Sequence, residues 1–193
     1  MSRGIRNNNP LNIRRSADRW EGACIHQSDP SFVQFVSMAY GYRAAWKVLE
    51  SYWQYFRRYR IPFTVANIIA RWAPPNENDT DHYVRTVLQL SSLGGKENLP
   101  RPFMGIAIDK LVRLLASMTT MECGIPYKEV DTAAIWEGYE LAFPGKLGEK
   151  VPEGKHIGSP IVESPFCIKP HYGPEDYCHM DEYWDWSSMV TDV

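Results

Sequence analysis

Hydrophobic residues recur at helical spacing through the middle of the chain. Tyr42, Ala45, Trp46, Leu49, Tyr52, Trp53 and Phe56 step by three and four, which predicts an amphipathic helix over 39–58. Arg57, Arg58 and Arg60 suit the negative end of its dipole, and Pro62 blocks continuation. Thr64 is placed to cap a shorter helix with Val65, Ile68, Ile69 and Trp72 on one face, closed by Pro74-Pro75. Asp79 or Thr80 opens a third, with Tyr83, Val84, Val87 and Leu88 inward and Gly94-Gly95 beyond it. A fourth helix is expected over 103–122, with Gly124 as its stop. A fifth is expected after Asp131, ended by Pro144-Gly145.

The ends of the chain read differently. Residues 1–38 are polar and turn-rich. Asn7-Asn8-Asn9-Pro10 is a turn signal, and 32–36 has the composition of a short strand. Such a segment should lie over a core that the helices build. Residues 146–193 lose the helical period. The chain therefore divides into a mostly α body over 1–145 and an acidic, aromatic-rich tail or interaction arm over 146–193.

Charge sharpens that division. Residues 1–150 carry 19 Lys and Arg against 15 Asp and Glu, whereas 151–193 carry 2 against 8. A mildly basic body tolerates an anionic polymer but lacks the dense basic stripe of a nucleic-acid-binding protein. No apolar run approaches the ~18 residues that cross a bilayer, and the first residues have no signal-peptide core. Delivery to a substrate outside the cytoplasm would then need another route. Cys24, Cys123, Cys167 and Cys178 form no CxxC, so free thiols are expected. Cys167, His171, Cys178 and His179 are spaced too irregularly for a zinc site, and no metal or cofactor is expected. Phosphate-binding glycine loops and G-x-S-x-G are absent.

One carboxylate stands out. Leu111, Leu115, Met118 and Glu122 are spaced four, three and four, so Glu122 shares the apolar stripe of the fourth helix at its last turn. The helix dipole disfavours negative charge there. A partly desolvated carboxyl in such a place is the kind of group that hands a proton to a glycosidic leaving oxygen.

A resemblance adds to this reading. The opening Arg3-Gly4-Ile5-Arg6-Asn7-Asn8-Asn9-Pro10-Leu11-Asn12-Ile13-Arg14 resembles that of a family of phage virion-associated, lysozyme-like proteins. Further similarity follows in order at Trp20-Glu21-Gly22, at Asp29 with Phe32 and Phe35, and at Gly41-Tyr42-Arg43-Ala44. It continues through Arg71-Trp72-Ala73-Pro74-Pro75-Asn76-Glu77-Asn78-Asp79-Thr80 with Tyr83, and ends at Met121-Glu122-Cys123-Gly124-Ile125-Pro126-Tyr127. It covers residues 3–143. It departs at Leu11, where a Gly is expected, and at Met121 and Cys123, where His and Asn are expected.

The resemblance implies a lysozyme-like fold in circularly permuted order, with the Asn-rich opening packed beside Glu122. It also implies cleavage of the β-1,4 bond between N-acetylmuramic acid and N-acetylglucosamine in peptidoglycan. Glu122 would be the acid. Asp29 and Glu77 are the candidates for a second carboxylate, which a hydrolase needs and a lytic transglycosylase does not. Asn7, Asn8, Asn9 and Asn12 would meet sugar hydroxyls and N-acetyl groups, and Arg6 and Arg43 the carboxylates of the polymer. Trp72, Asn78 and Tyr127 complete the expected substrate contacts. The other reading is a virion structural or adaptor protein that keeps the fold without the catalysis and meets other virion proteins through its tail.

Overall fold

The computed structural model describes residues 1–105 and 107–146. The body is mostly α, as the periodicity predicts. Its helices are α1 (Arg3–Arg6), α2 (Met38–Arg58), α3 (Val65–Trp72), α4 (Thr80–Ser91), α5 (Asp109–Cys123) and α6 (Thr132–Ala142). The acidic arm and the four residues of the zinc reading lie outside the described residues. No helix among the described residues is long and apolar enough to cross a membrane.

The caps explain the boundaries. Thr64, Asp79 and Asp131 each accept a hydrogen bond from the backbone N–H three residues on, satisfying donors that a helix start leaves free. Gly124 ends α5 at φ +65°, a left-handed conformation open to glycine without a Cβ penalty. The expected helix over 103–122 begins late. Pro102–Met104 is a single 3-10 turn, Gly105 then takes φ +68°, and regular helix starts at Asp109. The opening also differs from expectation. Ser2 caps the short helix α1, and the expected strand is reduced to isolated antiparallel bridges, Arg14 with Phe32 and Ala23 with Phe35.

α2 and α6 pack along each other at the centre of the main core. A Cβ on Gly138 would sit 2.7 Å from Tyr42 Cβ and 2.8 Å from the Ala39 carbonyl, so only glycine lets the two backbones come this close. Trp46 is fully buried between them. Its Nε1 donates to the Ile135 carbonyl at 2.9 Å, and its ring meets Tyr139 edge-on with centroids 5.1 Å apart. α4 packs on α5, and α3 on α4.

A second, smaller cluster joins Ile13, Val33 and Phe35 of the opening to Ala44 of α2. The partly buried Trp72 packs against both clusters. Leu11, where the resemblance expects glycine, is 1% exposed and sits in the main core, pinning the opening to the helices. Cys123 is a buried free thiol.

Candidate active site

α5 carries Glu122 to its last turn, where the residue is half-buried. Three side chains from three separate segments converge on its carboxylate. Trp72, the last residue of α3, donates its indole N–H to Oε1 at 3.1 Å. Tyr83 of α4 donates its hydroxyl to the same oxygen at 3.0 Å. Asn12 of the opening donates its amide to Oε2 at 2.9 Å and to the Glu122 backbone carbonyl at 3.3 Å.

The chain positions each of these donors. Thr80 Oγ1 donates to the Ala73 carbonyl at 2.6 Å, tying the end of α3 to the start of α4 and holding Trp72 and Tyr83 in mutual register. Burial and the neighbouring Glu122 carboxylate push the Tyr83 hydroxyl far above the usual phenol range, so it is a standing donor. Asn12 sits at φ +50°, a left-handed conformation that Asn tolerates better than most residues.

α1 lies directly against the end of α5. A Cβ on Gly4 would approach Cys123 Sγ to 2.7 Å, and the Cys123 thiol donates to the Pro10 carbonyl at 3.2 Å. Burial pushes that thiol upward, away from the reactive thiolate. Met121 packs on the main core. At the two positions where polar neighbours are expected, the chain therefore has packing residues, and Asn12, Trp72 and Tyr83 supply the hydrogen bonds.

The other expected site residues have different work. Asp29 is buried, and both of its oxygens are occupied. Oδ2 accepts from Arg3 Nε at 2.6 Å and Asn7 Nδ2 at 2.8 Å. Oδ1 accepts from Arg3 at 2.6 Å and from the backbone N–H groups of Ser31 and Phe32, each at 3.0 Å. The Arg3 hydrogen bonds, followed by those from Ser31, Asn7 and Phe32, hold the Asp29 carboxyl far below the usual range. These contacts make Asp29 a tie for the opening segment, and none of its hydrogen-bond partners is shared with Glu122. Glu77 is exposed in the turn after Pro74-Pro75 and makes no side-chain hydrogen bond to the Glu122 cluster.

Asn7, Asn8 and Asn9 also turn inward, and their amides are engaged within the opening segment. Asn9 is fully buried and donates to the carbonyls of Ile13 and Val33 at 2.9 and 2.8 Å. Asn8 donates to the Phe35 carbonyl at 3.0 Å, and Asn7 donates to Asp29. Buried polar groups need partners, and this turn supplies them from its own amides. Arg43 is 6% exposed, paired with Glu21 and bonded to the Leu141 carbonyl, so it too is structural. Asn78 donates to the Pro74 carbonyl at 3.3 Å within an exposed turn. Tyr127 packs partly buried on the main core. Arg6 remains exposed and lines a surface depression of about 590 Å³ with Ser28 and Gln34.

Over 148 residues the chain is 34% identical to Protein P5 of Pseudoalteromonas phage PM2, an alignment covering 75% of this chain and 84% of that protein. The chain belongs to the Protein P5 family. No family model matches it.

Within this member of the Protein P5 family, the structure joins Asn12, Trp72 and Glu122 of the expected site and adds Tyr83. In the sequence Tyr83 reads as a core position of its helix and as part of the resemblance, not as a site residue. Its hydroxyl end is the missed signal, because a buried tyrosine needs a hydrogen-bond partner. Among the described residues no group of His, Cys, Asp and Glu is arranged to hold a metal ion.

Asp29 makes a pH prediction. Its lowered folded-state value means that its contribution to stability is complete above the ordinary carboxyl range of about 4 and is lost as pH falls below it. Asp29→Asn should lower Tm at pH 7 and flatten the fall in Tm below pH ~4, read by thermal melts across pH. A variant with the wild-type profile would show that the Arg3–Asp29 pair is not coupled to folding.

Proposed function

We propose that the chain is a phage-borne, lysozyme-like peptidoglycan-cleaving enzyme of the lytic transglycosylase type, with Glu122 as its single acid and base. The observation that carries this reading is a half-buried carboxylate oriented by three uncharged donors, with no second carboxylate among its hydrogen-bond partners in the described residues. A hydrolase needs another carboxylate to receive water or the sugar. Asp29 is occupied by structural bonds, and Glu77 stands in an exposed turn. One group acting twice suffices for the intramolecular reaction.

In that reaction Glu122 gives its proton to the bridging oxygen as the bond to C1 of N-acetylmuramic acid breaks. The resulting carboxylate then takes the proton of the C6 hydroxyl of the same sugar. That oxygen closes on C1, forming a 1,6-anhydro ring and restoring the acid. No water is consumed. The juxtaposition of Asn12 with Glu122 supports the permuted lysozyme-like arrangement, in which the opening follows the acid in space. Kinship with a phage protein supports delivery by a phage particle.

Digestion of purified peptidoglycan, with products read by mass spectrometry, tests this. The expected muropeptides are lighter by one water than those of a muramidase and lack a reducing end. Glu77→Gln should leave the yield within a factor of about two, as for an exposed residue outside the site. Hydrated products would overturn the transglycosylase assignment. Binding to sacculi or virions without any release would replace the enzyme with a structural component.

A further inference from the structure

The two oxygens of Glu122 are not equivalent. Oε1 faces two donors, an indole N–H that can only donate and a buried tyrosine hydroxyl. A proton on Oε1 would require the Tyr83 hydroxyl to turn from donor to acceptor while the Trp72 indole N–H still points at that oxygen. Oε2 has one side-chain donor, the Asn12 amide at 2.9 Å.

Asn12 is itself unusual. While its Nδ2 serves Glu122, its Oδ1 is buried with no hydrogen-bond partner. That oxygen lies toward Gly4, 3.1 Å from where a Cβ would stand, in a corner that also contains the Asn9 carbonyl and the Cys123 sulfur. An unpaired buried acceptor is costly, so this arrangement is paid for elsewhere. The bond to an ionised Oε2 offsets it, being charge-assisted. Once Glu122 is protonated that compensation weakens. Turning the amide by half a rotation then gives up the longer 3.3 Å bond from Nδ2 to the Glu122 backbone carbonyl, brings Oδ1 to Oε2, where it accepts the acid O–H, and points Nδ2 at the corner holding the Asn9 carbonyl.

We infer that Oε2 carries the transferable proton of Glu122, and that Asn12 is the positioning residue that presents it by reversing its amide with the protonation state. The inference rests on the acid role given to Glu122 above. When the proton leaves Oε2 for the leaving oxygen, its electron pair stays on the carboxylate, and the amide turns its N–H back to Oε2. The same turn cannot be made by a residue with only one kind of polar atom. The other titratable groups beside Glu122 are Tyr83 and Cys123, both of which stay protonated across the acid range.

NMR of the full chain, labelled with ¹³C and ¹⁵N, tests this without requiring turnover. The Glu122 carboxyl carbon and the Asn12 side-chain amide protons and nitrogen are followed together through an acid titration. The expected result is a single shared midpoint, with a contact between the amide protons and the Glu122 side chain at high pH that disappears at low pH. Tyr83→Phe, which leaves Oε2 and Asn12 intact, should keep the two titrations coincident. An Asn12 side chain whose signals stay flat while Glu122 titrates would overturn the inference. So would an amide contact that persists in the protonated form. Failure of either kind leaves the cleavage assay unaffected, so it is distinguishable from failure of the enzymatic reading. Loss of muropeptide release with coincident titrations intact would instead remove the acid role.

Discussion

Glu122→Gln should release no muropeptide above background from peptidoglycan that the wild type digests, a loss of about 10²–10⁴-fold, the usual weight of general acid–base catalysis. The substitution removes the transferable proton and little else. The amide oxygen can stay under the Trp72 and Tyr83 donors, which hold Oε1 in the wild type. The amide nitrogen then meets Asn12, whose N–H now points at Oε2. Two donors face to face would cost about 1–3 kcal/mol, unless Asn12 turns its unpaired carbonyl oxygen inward to accept. Glu122→Gln should therefore melt within a few degrees of wild type while its activity is lost. A strongly destabilised variant would mean that Asn12 does not turn. A variant with wild-type activity would move the acid to another residue.

The helical body was legible because its signals are local. Apolar spacing placed α2, and Thr64, Asp79, Gly124 and Asp131 marked boundaries where a backbone donor or a left-handed turn needs a specific residue. Spacing also singled out Glu122, since a charged residue on a core stripe breaks the pattern. What the sequence concealed depends on long-range closure. Asn12 and Glu122 are 110 positions apart, and Trp72 and Glu122 are 50 apart, so no periodicity links them. The inward placement of Asn7, Asn8 and Asn9 is hidden for the same reason. A cluster of exposed amides and one that satisfies its own buried backbone have the same composition, and only the packing of Val33 and Phe35 over the turn separates them. Arg43 looked like a polymer contact until the fold paired it with Glu21. The late start of α5 follows from Gly105, whose positive φ interrupts an otherwise helical run.

Trp46→Ala should cost about 3–5 kcal/mol, the range for removing a large aromatic side chain from a close-packed core. Three losses coincide there. The side chain is 0% exposed, so its whole apolar surface leaves a cavity between α2 and α6. The edge-on contact with Tyr139 disappears, and the Ile135 carbonyl loses the indole N–H. The backbones cannot close over the gap, because Gly138 already holds them at contact distance. In a body of this size each kcal/mol lowers Tm by about 2–4 °C, so a fall of roughly 10 °C is expected in a calorimetric or dichroism melt. Trp46→Phe should lie between the two, since it keeps a ring but loses the donor. None of the three groups bonded to the Glu122 side chain is among the bonded or stacked partners of Trp46. Cleavage per folded molecule, measured well below the lowered melting temperature, should then stay near that of wild type. A fall in Tm under 2 °C would show that the α2–α6 seam repacks around the loss. Activity falling in proportion to stability would show that the seam, and not only the end of α5, sets the geometry of the acid.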